Sequence, residues 1–134
     1  MIAGAAMSAL PTNLGIIGDK CSSYPNSLEH AALLPQNLDT IHTYQIRIED
    51  KSCAHDIVWE DSFHARIRLE SAPPGLQLCV LMRPFQSERN CDKTYYELVG
   101  TSGLNDTQDV TIWVFWHPQA KPISGSYRLV VSGI

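Results

Sequence analysis

The chain has 134 residues, of which 44% are hydrophobic and 18% charged, and a formal net charge of −4. That length supports one core rather than two, and so many large apolar side chains rule out wholesale disorder. Ten Lys and Arg residues scattered among fourteen acidic ones make no basic field, so nucleic acid is not an expected partner, and no apolar run approaches a membrane-spanning helix in length.

In chain order, the opening "MIAGAAMSAL" is small and apolar but lacks the basic start and long apolar stretch of a signal peptide. Residues 1–22 are expected to be an N-terminal tail or an assembly strand. In the latter case "LGIIG" at 14–18 would add to a neighbour's sheet edge. Residues 23–134 are expected to form a single domain. "NSLEHAALL" is the one segment with helical character, with Asn26 or Ser27 as cap and Pro35 as stop.

From residue 40 onward the pattern is alternation. "IHTYQIRIE" puts Tyr44, Ile46 and Ile48 on one face, with Thr43, Gln45, Arg47 and Glu49 on the other. "SFHARIRLE" sends Phe63, Ala65, Ile67 and Leu69 inward and His64, Arg66, Arg68 and Glu70 outward. After the turn "SAPPG", the segment "LQLCVLMR" directs Leu76, Leu78, Val80 and Met82 to the core and turns Cys79 away from it. "KTYYELVG" is a shorter strand, and "GLNDTQD", which contains the sequon Asn105-Asp106-Thr107, a polar turn. "VTIWVFWH" is apolar on both faces, and "SYRLVVSG" closes the chain with Tyr127, Leu129 and Val131 on one side. The expected fold is all-β: an antiparallel β-sandwich, jelly-roll-like, with about seven to eight strands and disulfide staples.

Cys21, Cys53, Cys79 and Cys91 show no C-x-x-C spacing, and their even number favours disulfides in an oxidising compartment over four buried thiols. Three connectivities are open. Cys79 and Cys91 flank the loop-like "RPFQSERN", which by default leaves Cys21 with Cys53.

Several of these segments, read in order, resemble the bacterial pre-peptidase C-terminal domain, a small secreted β-sandwich found beside exported catalytic domains. "YPNSLEHAALL" looks like that family's E-P-N opening, with Tyr24 in place of the acidic residue. Asp39 before "TYQIRI", then "FHARIRL", then "GLQLCVLM" follow its strands, and "GSYRLVVSG" fits its closing G-x-Y-x-L-x-V at Gly125, Tyr127, Leu129 and Val131. The resemblance spans roughly residues 24–134. Where the family has an acidic D-L-D-L, this chain has Gly75, Leu76, Gln77 and Leu78, so a calcium role is not carried over. Cys79, in place of the usual aromatic, marks a disulfide-bearing variant of that strand and loop.

"CAHDIVWEDSFH", Cys53 to His64, has the residue density of a metal site, but His64 alternates outward beside Arg66 and no H-x-x-x-H spacing fixes a geometry. His55, Asp56, Glu60 and Asp61 remain as weak metal candidates, against the plainer reading of a solvated loop. No nucleophile elbow is present, so no catalytic residue is assigned and no cofactor is expected. Trp113, Phe115, Tyr95 and Tyr96, with His117, are candidates for a stacking platform, against burial as core. The resemblance implies a non-catalytic, secreted or cell-surface accessory module that binds a protein or polysaccharide surface. The alternative is a structural subunit of an extracellular filament or surface assembly, its partners identical subunits.

Overall fold

The computed structural model describes residues 11–18, 23–51, 64–83, 90–93, 95–99 and 105–133. Nine strands lie among them: β1 (Thr12–Gly18), β2 (Ser27–Leu33), β3 (His42–Lys51), β4 (His64–Glu70), β5 (Leu76–Arg83), β6 (Asn90–Lys93), β7 (Tyr95–Val99), β8 (Asn105–Trp116) and β9 (Ser126–Gly133). They form a five-stranded sheet in the order β1-β3-β8-β5-β6 and a four-stranded sheet in the order β2-β9-β4-β7. Among the described residues no helix is long and apolar enough to cross a membrane.

The period-two pattern explains the two layers. Ile46 and Ile48 of β3, Leu76, Leu78 and Val80 of β5, and Val110, Ile112, Val114 and Trp116 of β8 are buried on the inner face of the larger sheet. Ala65, Ile67 and Leu69 of β4 and Tyr127, Leu129 and Val131 of β9 meet them from the smaller one, in a single hydrophobic cluster. The smaller sheet turns ions outward. Arg128 of β9 lies 3.3 Å from Glu70 and 3.5 Å from Glu29, and Arg68 lies 2.9 Å from Glu70.

Three expectations require correction. The segment read as a helix is strand β2, antiparallel to β9 from Ser27↔Ser132 to Leu33↔Ser126, with an alternating burial pattern. Ala, Leu and Glu favour helix locally, but pairing with β9 lets Leu28 and Ala32 pack against the core, and burial outweighs propensity differences of a few tenths of a kcal/mol per residue. The "polar turn" from Asn105 is the first part of β8, paired with Lys51 through Arg47 of β3. The sheet is also not wholly antiparallel, because β1 pairs in parallel with β3 from Thr12↔Tyr44 to Gly18↔Glu49. The strand-forming "LGIIG" thus sits in its own chain's sheet and buries Ile17 in the core. Its register shifts between Asn13 and Gly15, where Gly15 has φ 111° and its N–H donates to Asn13 Oδ1 at 2.9 Å.

One end of the sandwich is fixed by hydrogen bonds between connections. The Trp116 indole donates to the Pro35 carbonyl at 2.7 Å, Leu34 N–H to Gly125 O at 2.9 Å, and His117 N–H to Gly75 O at 2.7 Å. Gly75 is at φ 92°, and a Cβ there would lie 2.8 Å from that of Ala120, so the residue type is dictated twice over.

Candidate functional site

On the outer face of the five-stranded sheet the registers assemble cross-strand rows. Asn13, Gln45, Thr111 and Leu81 form one row, and Ile16, Arg47, Asp109 and Arg83 the next. On the other side of the first row come Thr43, Trp113 and Cys79, followed by Phe115 beside Gln77. Strands are about 4.8 Å apart and alternate residues about 7 Å apart, so the Arg47 and Phe115 rows are separated by roughly 20 Å.

This face divides in two. On its β5 side Cys79 and Leu81 are buried although they point away from the core. On the β1, β3 and β8 side, Asn13, Gly15, Ile16, Gln45, Arg47, Asp109 and Thr111 line a groove of about 780 Å³. Arg47 Nε donates to Asp109 Oδ1 at 3.1 Å, both side chains being at least half exposed. Such a pair adds little to stability, about 1 kcal/mol at most, and leaves its remaining donors and acceptors facing solvent.

Trp113 and Phe115 are half-buried on this face, between the fully buried Ile112, Val114 and Trp116. Tyr95 and Tyr96 belong to β7 of the other sheet, paired with Arg68 and Ile67, so the four aromatic candidates do not converge. His117 lies in the turn after β8, its Nδ1 accepting from Gln119 N–H at 3.0 Å. Cys79 is disulfide-bonded. On the backbone, Leu78 pairs with Lys93 and Val80 with Asn90, which leaves Cys91 and Asp92 opposite Cys79. Cys21, Cys53, His55, Asp56, Glu60, Asp61 and Phe63 lie outside the described residues, as do the side chains of Cys91, Tyr95, Tyr96 and His64. Among the described residues no group of three or more His, Cys, Asp or Glu side chains is placed to hold a metal.

A second feature had no counterpart in the sequence reading. At the edge where β2 and β3 face each other across the two layers, Thr12, His30, Ala32, Leu34, Gln36, His42 and Tyr44 line an open hollow of about 440 Å³. At its base His42 Nδ1 lies 2.8 Å from the Tyr127 hydroxyl, which in turn hydrogen-bonds the Tyr44 hydroxyl. The His42 ring stacks on Tyr127 with centroids 5.9 Å apart, and the His30 ring meets Tyr44 edge-on at 5.2 Å. Burial, reinforced by nearby His30, holds the His42 pKa below 6.5, so its ring is neutral at neutral pH. Burial likewise raises both tyrosines, Tyr127 further because its hydroxyl serves Tyr44. The alternation that turns Tyr44 inward would also have turned His42, two residues earlier, to the same side. His30 was hidden by the helical reading of β2.

The architecture places the chain among two-layer all-β sandwiches. No family model matches it, and no curated protein matches it. Among solved structures it is similar to Aeromonas hydrophila PliG, a periplasmic lysozyme inhibitor of g-type lysozyme, with 10% identity over 93% of this chain and 100% of that one and a TM-score of 0.49.

Proposed function

We propose that this chain is an exported, non-catalytic binding module, similar in its motifs to pre-peptidase C-terminal domains, and that it attaches to polysaccharide through the outer face of its five-stranded sheet. The observation that carries the reading is the run of rows on that face. An amide-, hydroxyl-, guanidinium- and carboxylate-lined groove continues into the half-buried rings of Trp113 and Phe115. Sugars need both elements: a flat apolar ring against the C–H face of the pyranose, and fixed planar donors and acceptors for its hydroxyls. The G-x-Y-x-L-x-V segment falls on β9, with Tyr127, Leu129 and Val131 in the core, in keeping with a structural motif. Export is supported by the disulfide at Cys79, and we assign its partner as Cys91 from the β5–β6 register.

The test is co-sedimentation and affinity electrophoresis with cellulose, chitin, xylan and peptidoglycan. The chain should bind at least one of them, and Trp113→Ala or Arg47→Ala should weaken that binding about tenfold, equivalent to about 1.4 kcal/mol, while retaining a cooperative thermal transition. Failure to bind any of the four, or undiminished binding by both folded variants, defeats the proposal.

A further inference from the structure

We propose that His30 and His42 form a two-imidazole site for a borderline divalent transition metal, zinc or copper(II), at the mouth of the hollow between the two sheets. The inference stands apart from the polysaccharide reading, since it concerns the opposite side of β3.

Both histidines line the same opening, His30 from the edge strand β2 of the smaller sheet and His42 from the start of β3 in the larger, and both abut Tyr44. Among the described residues they are the only histidines that line the hollow, and no described lining residue is a Lys or Arg to repel a cation or an Asp or Glu to favour calcium or magnesium. His42 has the second-sphere arrangement of a metal ligand. Its Nδ1 is committed to the Tyr127 hydroxyl, which leaves Nε2 as the uncommitted ring nitrogen and fixes the plane of the ring. The two tyrosine hydroxyls can each donate or accept. The chain can therefore run from Nδ1–H to Tyr127 and on to Tyr44, which frees the Nε2 lone pair for coordination.

Zinc and copper both accept imidazole nitrogen, and the net charge of −4 favours a cation over an anion. With no group of three ligating side chains among the described residues, the two imidazoles leave coordination positions for water. Metal there would fasten β2 of one sheet to β3 of the other, raising thermal stability as well as filling a site.

The full chain, freed of metal with chelator, is titrated with zinc chloride by calorimetry and with copper(II) sulfate by electron paramagnetic resonance at pH 7.5. One equivalent should bind, the copper spectrum should show coupling to two nitrogens, and the melting temperature should rise with either metal. All three effects should disappear at pH 5, where imidazole protonation competes. His30→Gln and His42→Gln should each weaken binding by at least about tenfold, and Tyr127→Phe, which removes the second-sphere partner, by about tenfold. His117→Gln, in the turn after β8, should leave binding unchanged. Because His30 is only half-buried, His30→Gln remains informative even if variants of the buried network fold poorly. No binding at millimolar metal, a one-nitrogen copper spectrum, or binding that survives both His30→Gln and His42→Gln overturns the site.

Discussion

Tyr127→Phe tests whether the hydroxyl chain at the base of the hollow stabilises the fold. Tyr127 and Tyr44 are 1% and 3% exposed, so phenylalanine at 127 keeps the packing and removes one oxygen without opening a cavity. Two groups lose a partner, the Tyr44 hydroxyl and His42 Nδ1. Both line the hollow, but His42 is half-buried and can recruit water, whereas Tyr44 is only 3% exposed. The cost is therefore close to that of one orphaned buried polar group, about 2 kcal/mol. For a domain of this length that corresponds to a fall in melting temperature of roughly 6–10 °C. The double variant Tyr44→Phe/Tyr127→Phe removes the orphan along with its partner and should recover about 1 kcal/mol relative to the sum of the single changes. Urea unfolding of the four proteins, with unchanged m-values, supplies the cycle. A single variant within about 0.5 kcal/mol of the parent, or strictly additive losses, would show that the short contact between the rings is packing rather than a hydrogen bond that the fold depends on.

Two further outcomes follow from the same geometry and from β5. The folded His42 pKa lies below its unfolded value of 6.5, so below 6.5 the unfolded chain binds the extra proton and stability falls as pH drops, levelling off beneath the folded pKa. In chelator, subtracting the pH–stability curve of His42→Gln from that of the parent should leave this slope below pH 6.5 and a flat line above it; an opposite slope would refute the burial argument. Peptide mapping of the unreduced protein should recover Cys79 linked to Cys91, because the β5–β6 irregularity sets Cys91 and Asp92 opposite Cys79. A link from Cys79 to Cys21 or Cys53 would rule that pairing out.

The strands that could be read from sequence are those where one face is uniformly apolar. β3, β4 and β9 alternate over their length, and the residues expected inward, such as Ile46, Ile67 and Leu129, are the buried ones. β2 could not be read because its outward positions include Ala31 and Leu33, which blur the alternation, and its composition suits a helix until β9 is known to lie beside it. The start of β8 looked like a turn because polar residues there serve an exposed ladder with β3. Trp113 and Phe115 lie half-buried on the outer face of β8, and what surrounds them depends on registers between strands far apart in sequence. No local pattern announces that Asn13, Gln45 and Thr111 share a row.

Both candidate sites depend on β3, the strand held between β1 and β8. Its inward residues His42 and Tyr44 serve the hollow, and its outward residues Gln45 and Arg47 line the groove. With side chains alternating at every residue, a one-position slip would exchange the two sets and empty both sites at once. Two features oppose such a slip. The ladder with β8 engages every residue from His42 to Lys51, and the Tyr44 hydroxyl can meet that of Tyr127 across the layers only when residue 44 faces inward at that height. The buried polar contact thus discriminates between registers in a way that Ile46 or Ile48, which would pack acceptably at either inward position, do not. On this argument the tyrosine pair near the hollow also sets the alignment of the groove on the opposite face, although none of its atoms reaches that face.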